Sequence, residues 1–506
     1  MKKSLLTVIL VASYPILFFY ANNQNQLRIN IIWQPLLVSI FFCITLWLLS
    51  SLILKNSQKG TLITIIITFW FYFYGHLSGL LKNIFIPIGP NIVLGPDKIL
   101  FPISVALLIL IIISIIKQKK SPVEYNNFFL IFLFVLVLIQ IVNIFPKLKD
   151  INFTNTNNQS IGTQQNTPDI YFIILDGYAR EDILKNVFNF DNGDFVIRLQ
   201  KMGFTVINDA RSNYTQTFLS LSSTLNMKHV NYFTKELGTE TTDVSVPFQM
   251  IDQNEVSNIL RQKGYKIINL ASGWAPTDKM GIADINFDNS QLFNLLGVDI
   301  NLNEFNIVFL QTTALSPFIK NTLIDQSRAK VIYALNKLGE IPYIQGSKFT
   351  IAHFNIPHPP YLFDENGNQI PNQSLDMAGE SFSDRTNYIK QLKFINSQIG
   401  KILPIIINNS ATPPIIILQS DHGPASILGH PFKWVRPAPA DGIAERTSIL
   451  SALYLPTNID VKLIPKTPVN DFRFIFNQYF NGSYEMLPET SYFSDYKSIY
   501  EFFEVK

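Results

Sequence analysis

The sequence has one cysteine, few charged residues and only a small excess of basic residues. The low cysteine content and the charge balance each exclude a class of protein. Its 506 residues include one cysteine, Cys43, which lies in an apolar run, so a disulfide framework and a thiolate metal cluster are both excluded. Charged residues make up 15% of the chain. Residues 1–146 contain ten Lys or Arg and two acids, whereas the rest of the chain holds thirty basic and thirty-five acidic residues. Since the charge-rich part has no basic excess, no nucleic acid is expected as a partner.

Long apolar runs fill the first 146 residues. Five of them contain no Lys, Arg, Asp or Glu and come close to the roughly 20 residues that a helix needs to cross a membrane. They are Leu5–Tyr20, Ile31–Leu54, Leu62–Leu81, Ile99–Ile116 and Phe128–Phe145. No small-residue cleavage pattern follows the first run, so we interpret it as a retained anchor. The sequence therefore predicts an integral membrane protein with five spans in residues 1–146.

The basic residues between the spans predict the orientation. Seven lysines fall on one side of the predicted membrane, and three basic residues fall on the other. Because basic loops stay in the cytoplasm, the N-terminus is predicted to be cytoplasmic and the region after Phe145 to be extracytoplasmic. This prediction places a multi-pass protein in the plasma (inner) membrane.

The remaining chain begins with a polar linker, residues 147–168, and continues as a predicted catalytic domain, residues 169–506. Short apolar runs without polar alternation predict strands that are buried on both faces. The predicted strands are Ile170–Leu175, Lys266–Leu270, Phe349–Phe354, Ile415–Leu418 and Ile449–Leu455. Helical stretches lie between them, so the predicted fold is α/β, a central sheet with helices on both faces.

Polar groups follow three of these strands. Asp176 and Gly177 come directly after the first strand, Asp421 and His422 follow a late one, and His358 comes shortly after the strand that contains His353. In such sheets, ligands bind beyond the carboxyl ends of the strands. A single Asp after a strand is usually a turn or cap residue, but three such strand ends together predict a divalent cation site. His353 itself alternates with apolar residues, which favours a core or supporting position.

A Ser/Thr-rich segment, SNYTQTFLSLSSTLN, supplies a candidate nucleophile. Its spacing predicts a helix that begins near Thr217, where unpaired N–H groups and the helix dipole attract an anion. A hydroxyl there becomes a nucleophile when a metal lowers its proton affinity. On this segment alone, a simple Ser/Thr-rich helix cap is the favoured interpretation, and Thr215 and Ser220 are rival hydroxyls.

Four motifs in order, ILDGY, TFLSLSSTL, IPHPPY and SDHG, resemble those of the alkaline phosphatase and sulfatase superfamily. The resemblance covers residues 169–456, and it is to the membrane-anchored branch with lipoteichoic acid synthases and phosphoethanolamine transferases. It implies that one divalent metal ion is bound by Asp176, Thr217, Asp421 and His422. It also implies that Thr217 is the nucleophile. It implies that substrate is bound by His358, His430 and Ser220. It also implies a catalytic role for His358.

The chain departs from two patterns of the superfamily. Sulfatases mature a Cys or Ser in a C/S-x-P-x-R motif, and the segment from Thr217 has neither that residue nor the Pro and Arg. An Asp-x-x-x-His set for a second metal is also missing from the sequence. We therefore expect one cation, with Zn²⁺ or Mn²⁺ favoured over Mg²⁺ or Ca²⁺, and a reaction at phosphorus.

The resulting hypothesis is a phosphotransferase that moves a head group from a membrane lipid donor to an envelope glycan or lipid acceptor through a phospho-threonine. Two alternatives stay open: a hydrolase that uses water, and an inactive ectodomain that serves as a binding or scaffold module. A transporter is disfavoured because the five spans carry no charge.

Overall fold

The computed structural model describes residues 2–27, 29–81, 86–89, 92–148, 167–289, 293–295, 298–300, 303–371, 382–457 and 459–505. The chain separates into two compact units. The membrane unit comprises Met1–Thr156 and Gln291–Leu323, and the sheet unit comprises Asn157–Ser290 and Ile324–Lys506. The boundaries expected from sequence stay a prediction, and most of the predicted linker lies outside the described residues. Residues 291–323, which that prediction placed in the catalytic domain, group with the membrane unit.

Among the residues that the structure describes, five helices of the membrane unit are long and apolar enough to cross a membrane, which confirms the predicted spans. The elements of the N-terminal part of this unit are α1 (Lys2–Asn23), α2 (Trp33–Leu54), α3 (Ser57–Leu80), β1 (Ile86–Gly89), β2 (Ile92–Leu94), α4 (Pro96–Lys117) and α5 (Val123–Leu148). Cys43 is buried on α2, and its Sγ atom lies 3.3 Å from the Thr68 hydroxyl of α3. The single thiol is thus part of a helix contact.

The sheet unit starts with the predicted first strand and alternates strands with helices. As far as Phe287 its elements are β3 (Ile170–Leu175), α6 (Glu181–Phe188), α7 (Gly193–Lys201), β4 (Thr205–Val206), α8 (Thr217–Leu225), α9 (Phe233–Glu236), α10 (Ser245–Asp252), α11 (Glu255–Gln262), β5 (Lys266–Leu270), α12 (Ala275–Asp278) and β6 (Ile285–Phe287). The chain then passes into the membrane unit with β7 (Phe293–Leu295), β8 (Val298–Ile300), α13 (Glu304–Gln311) and the start of α14 (Ser316–Glu340). The remaining elements are β9 (Lys348–Phe354), α15 (Arg385–Asn409), β10 (Ile415–Gln419), α16 (Ala440–Thr447), β11 (Ser451–Tyr454), α17 (Asp471–Tyr479), β12 (Ser491–Phe493) and β13 (Phe503–Val505).

A seven-stranded mixed sheet organises the unit, in the order β4-β11-β10-β3-β9-β5-β6. The strands from β10 through β3, β9 and β5 to β6 are parallel, and β11 pairs antiparallel with both β10 and β4. This sheet, with helices between its strands, confirms the predicted α/β fold class. The register aligns Leu175 with Phe354 and Ile174 with Gln419, so β3, β9 and β10 end at one edge.

Apolar runs become central strands here because both faces of the sheet are covered. Every residue of β3, β9 and β10 is buried. Side chains of β3 and β9 pack against α17, where Phe172 and Phe349 meet the ring of Phe472 edge-on, with centroids 5.4 and 5.6 Å apart. The central strands thus form a rigid base for the residues that follow them.

A buried ion pair lies at the opposite edge of the same strands. Lys348 Nζ is 2.7 Å from Asp169 Oδ2, and both side chains are less than a tenth exposed. Lys348→Met should cost about 3–5 kcal/mol, because it leaves a buried carboxylate without its partner. Thermal unfolding of the full chain in detergent should show a clear drop in Tm.

A double variant and a surface pair serve as controls for this prediction. Asp169→Asn combined with Lys348→Met should recover most of the lost stability, since no unpaired charge is then buried. Lys337→Met breaks the exposed Lys337–Glu340 pair and should change Tm little. Equal losses in Lys348→Met and Lys337→Met would contradict the assignment.

A second buried carboxyl makes stability depend on pH. Asp471 begins α17, is fully buried, and accepts a hydrogen bond from Gln419 Nε2 (2.7 Å); burial raises its pKa to about 8. Its folded pKa lies above the unfolded value, so the folded state retains a proton that the unfolded state releases. This contribution is fully present below about pH 4 and is lost as the pH rises to about 8.

The Asp471→Asn variant should remove this dependence. The drop in Tm of the full chain between pH 5 and pH 8 should be smaller in the variant than in the parent, since an amide does not titrate. All other titrating groups are common to the two proteins, so the difference between the two profiles isolates this side chain. Parallel profiles would show that Asp471 does not titrate in this range.

Candidate active site

The loop after β3 carries the first predicted ligand. Asp176 follows the strand directly, its N–H donates to the Phe354 carbonyl of β9 (3.0 Å), and its own carbonyl accepts from His358 N–H (3.0 Å). Gly177 has φ +71°, a conformation that a side chain disfavours, and a Cβ there would lie 3.3 Å from the Phe382 ring. The chain therefore turns sharply after Asp176, whose side chain is buried.

The loop after β10 is hydrogen-bonded to the loop after β3. Gly177 N–H donates to Asp421 Oδ1 (3.2 Å), and Tyr178 N–H donates to the Ser420 hydroxyl (2.8 Å). One oxygen of Asp421 is thus used to hold the two loops together. The other, Oδ2, is buried and has no hydrogen-bond partner among the described residues.

Gly423, the residue after His422, fixes the orientation of the His422 ring. A Cβ on Gly423 would lie 2.1 Å from the Glu445 carbonyl oxygen, so only glycine fits where this loop passes α16. The Gly423 carbonyl lies 3.0 Å from His422 Nδ1. Because a carbonyl only accepts, Nδ1 carries the proton, and Nε2 of the neutral ring is free to act as an acceptor or ligand.

Thr217 contacts Nε2 of His422. It is the first residue of α8, it is half-buried, and its Oγ1 lies 3.0 Å from His422 Nε2. The rival hydroxyls point elsewhere: Thr215 donates to the Ser494 carbonyl (3.2 Å) and Ser220 to the Tyr214 carbonyl (2.9 Å). The structure thus brings Thr217, and neither rival, to the histidine. The predicted contact of Ser220 with substrate stays a prediction, which the burial of its hydroxyl does not favour.

The four predicted ligands form one compact cluster. His422 Nε2 lies 3.3 Å from Asp421 Oδ2 and 3.6 Å from Asp176 Oδ1, and the three side chains are buried and could hold a metal ion. Ligand atoms around a tetrahedral cation with bonds of about 2.0 Å are separated by about 3.3 Å, so the cluster has the spacing of such a site. Asp176 Oδ1 and Asp421 Oδ2 are both buried without a hydrogen-bond partner among the described residues. Two unpaired carboxylate oxygens beside an imidazole nitrogen fit a divalent cation.

The electrostatics of the cluster also favour a cation. Burial acts to raise the pKa of Asp176, but the neighbouring histidines, His358 first, outweigh it and lower that pKa. Burial and the charge of Asp176 raise the pKa of Asp421. Two carboxylates in one buried site oppose each other's ionisation, and a divalent ion between them would allow both to be charged.

The two other predicted histidines lie on different loops. His358 is half-buried after β9; its Nδ1 donates to the Pro359 carbonyl (2.5 Å), and its ring centroid is 6.2 Å from that of His422. His430 lies in the loop after Gly423, where its carbonyl accepts from Lys433 N–H (2.8 Å). His358 therefore borders the cluster, while the role of His430 stays a prediction.

His353, which the sequence favoured as a core or supporting residue, lies beside Asp176. Its Nε2 is 3.6 Å from Asp176 Oδ2 and has no hydrogen-bond partner among the described residues, and its Nδ1 lies 2.9 Å from the Thr277 hydroxyl. The ring is 1% exposed and packs edge-on against Trp274. The alternation of His353 with apolar residues was the signal for this buried position.

Arg446 is the charged residue that the sequence analysis missed. It is 2% exposed; its Nε donates to the Thr215 carbonyl and an Nη to the Gly423 carbonyl, both at 2.8 Å. One buried guanidinium thus joins the segment before Thr217 to the residue after His422. Arg446 also lies close to Tyr496 in the C-terminal tail. Burial raises the pKa of Tyr496, and the positive charge of Arg446 offsets part of that rise.

The comparisons with known proteins give one family match. A model of the sulfatase family matches residues 195–438, a range that includes Thr217, His358, Asp421 and His422 and begins after Asp176. This match agrees with the predicted resemblance, and it shows that this part of the chain is sulfatase-like. A search of curated protein sequences gave no match.

The solved structures that are similar to the chain at low identity include the following three. The C-terminal periplasmic domain of EcEptC from Escherichia coli, in complex with Zn, is 14% identical over 68% of this chain and 94% of that one, with a TM-score of 0.42. The soluble domain of lipooligosaccharide phosphoethanolamine transferase A from Neisseria meningitidis is 13% identical over 62% and 89%, with a TM-score of 0.39. The integral membrane form of that transferase is 12% identical over 94% and 95%, also with a TM-score of 0.39.

Proposed function

We propose that this membrane-anchored, sulfatase-like enzyme is a metal-dependent phosphotransferase, which moves a phospho-head-group from a lipid donor to an envelope glycan or lipid. The observation that carries the proposal is the position of the Thr217 hydroxyl, 3.0 Å from Nε2 of a histidine that also borders two buried carboxylates. A hydroxyl that served only to cap a helix would not have to lie beside a histidine and two buried carboxylates.

Thr217 would act as the nucleophile in the first half of the reaction. The Thr217 O–H bond breaks and its oxygen forms a bond to the donor's phosphorus as the bond from phosphorus to the lipid alcohol breaks. The lipid alcohol leaves with a proton, which balances the proton that Thr217 gives up. The first turn of α8, which starts at Thr217, would direct unpaired N–H groups at the anionic phosphoryl group. The product of this half is a phospho-threonine that carries the head group.

Asp176, Asp421, His422 and the Thr217 oxygen would hold the cation. When bound, a divalent ion lowers the proton affinity of a coordinated hydroxyl and neutralises charge that develops at phosphorus. The absence of the Cys/Ser-x-Pro-x-Arg sequence around Thr217 favours phosphorus over sulfur as the reacting atom.

His358 would contact the transferred group. With Nδ1 committed to the Pro359 carbonyl, the free edge of its ring carries Nε2, and the ring lies next to His422. At this position Nε2 can pass a proton to the departing lipid oxygen and later take one from the acceptor hydroxyl. In the second half, that acceptor oxygen displaces Thr217 from phosphorus and restores its hydroxyl.

The membrane helices support a lipid donor. Five spans confine the enzyme to the surface in which the donor is dissolved, which raises the effective donor concentration. We propose the plasma (inner) membrane, with the N-terminus cytoplasmic and the sheet unit on the outer face, because the lysine-rich loops favour that orientation.

Product analysis separates transfer from hydrolysis. The purified full chain is incubated with phosphatidylethanolamine or phosphatidylglycerol labelled in the head group, with and without lipid A and glycolipid acceptors. We expect label on the acceptor and only slow release of free phospho-head-group. Rapid release that no acceptor suppresses would assign a hydrolase, and no consumption of either lipid with any divalent ion would contradict the proposal.

A further inference from the structure

Residues 303–319, here called the inserted segment, belong to the membrane unit although strands of the sheet precede and follow them in sequence. The chain leaves the sheet unit after Ser290 and rejoins it at Ile324, within α14. The described part of this excursion includes α13 and the first turn of α14. Residues 305–319 contain no Lys, Arg, Asp or Glu. The sheet unit thus has a connection to the membrane helices besides the chain that follows α5.

The inserted segment exchanges backbone hydrogen bonds with α3. Gly75 N–H donates to the Thr312 carbonyl (2.8 Å), and Ala314 N–H donates to the Phe71 carbonyl (2.7 Å). In a regular helix the Gly75 N–H and the Phe71 carbonyl would bond each other. Here each has a partner in the loop between α13 and α14. Non-helical backbone at membrane depth requires such partners, because lipid offers none.

Gly75 permits this close approach. A Cβ on Gly75 would lie 2.2 Å from the Gln311 carbonyl oxygen and 2.6 Å from Thr312 Cα. Gly79, one turn further along the same helix, has no atom within 4 Å of its Cβ position. The contact is therefore specific to one turn of α3.

Aromatic packing joins α13 to the membrane helices. Phe305 and Phe309 are buried, and both rings contact Phe19 of α1, with centroids 5.2 and 5.4 Å away. Phe309 also lies 5.4 Å from Tyr72 of α3. Phe318, at the start of α14, meets Phe101 of α4 edge-on at 4.9 Å. Three spanning helices thus hold the inserted segment.

These contacts lie inside the ends of the spanning helices. At 1.5 Å per residue, Gly75 is about 8 Å before the end of α3, and Phe71 is about 14 Å before it. By the same measure, Phe101 is about 8 Å past the start of α4. The contacts therefore lie about one to three helical turns inside helices that have the length and apolar composition of membrane spans. Val308 is 39% exposed and Phe318 65% exposed.

We propose that the inserted segment is a re-entrant membrane element, which contacts lipid acyl chains through Val308 and Phe318. Lipid is the occupant because Phe318 contacts Phe101 of α4, a helix that is long and apolar enough to cross a membrane and whose side chains are mostly exposed. The element anchors the chain a second time at the bilayer surface, independently of the catalytic proposal.

Single-cysteine labelling tests this proposal. In a Cys43→Ser background, Val308→Cys and Phe318→Cys are labelled with an environment-sensitive fluorophore, and the full chain is reconstituted into phosphatidylethanolamine–phosphatidylglycerol vesicles. We expect both labels to be quenched by doxyl lipids and protected from iodide. Leu110→Cys, exposed on α4, is the lipid-facing control, and Lys119→Cys, in the loop after α4, is the water-facing control. Labels at 308 and 318 that respond to iodide and not to doxyl lipids would overturn the proposal.

A matched glycine pair tests how the element is held. Gly75→Val should move the label at Phe318→Cys toward water, measured as reduced doxyl quenching and increased iodide quenching, because valine cannot fit against Gln311 and Thr312. Gly79→Val should leave both values unchanged. If the two variants behave alike, the backbone exchange is not what holds the segment. Should Gly75→Val fail to insert, the labels in the otherwise unchanged chain still decide the proposal.

Discussion

The Thr217→Ala variant should lose turnover by a factor on the order of 10⁴ or more, as expected when an enzyme loses its covalent nucleophile. Alanine removes the oxygen 3.0 Å from His422 Nε2 and leaves α8 otherwise intact. With lipids labelled in the head group, the parent should show a mass increase at Thr217 after rapid quenching, and the variant should show none. Thr217→Ser keeps a hydroxyl on the same carbon and should retain part of the activity.

Thr215→Ala is the matched control for this variant. Thr215 is buried two residues earlier, and its hydroxyl is bonded to the Ser494 carbonyl, so its loss should affect stability more than chemistry. Similar Tm values for the parent and Thr217→Ala would show that the fold survives. Full turnover by Thr217→Ala, or a covalent adduct at another residue, would refute the nucleophile assignment.

The central sheet was predictable because its strands are buried on both faces. A strand in that position must be apolar without interruption, so β3 and β5 have the bounds that their apolar runs predict, Ile170–Leu175 and Lys266–Leu270. The antiparallel direction of β11 was not predictable, since its run differs in no way from that of a parallel strand. Direction depends on how the chain returns to the sheet, which short-range patterns do not encode.

The site was predictable where a residue is tied to the end of a strand or the start of a helix. Asp176, Asp421 and Thr217 hold such positions, and the structure brings them together. Arg446 carries no such signal, because an arginine within a short helix usually faces solvent. Its burial arises only when the loops containing Thr215 and Gly423 converge on it.

The sequence did not predict that the inserted segment belongs to the membrane unit, because its apolar stretches are short. Its apolar stretches are much shorter than the roughly 20 residues of a span, so hydropathy assigns them to a soluble domain. The feature that matters is a glycine on another helix, Gly75, whose missing side chain admits the backbone of Thr312. Such a pairing between distant positions is visible only in three dimensions.

Asp421→Asn should abolish metal binding while preserving the loop. Asparagine keeps the oxygen that accepts from Gly177 N–H and replaces the unpartnered Oδ2 with an amide nitrogen, which is a poor ligand. The purified full chain should contain close to one zinc or manganese ion per molecule by elemental analysis, and the variant should contain almost none.

Relative to the parent, Asp421→Asn should have a higher Tm without metal and a lower Tm with metal. Without metal, Asp421→Asn should raise Tm, because it removes one of two carboxylates that repel each other in a buried site. With metal, the parent should gain about 4 kcal/mol at a thousandfold excess over Kd, and the variant should gain almost nothing. Asp421→Ala is the comparison that loses the Gly177 hydrogen bond as well, so it should be less stable than Asp421→Asn in both conditions. A parent protein that binds no divalent ion would instead support the inactive scaffold, because the buried carboxylates would then have no cation to hold.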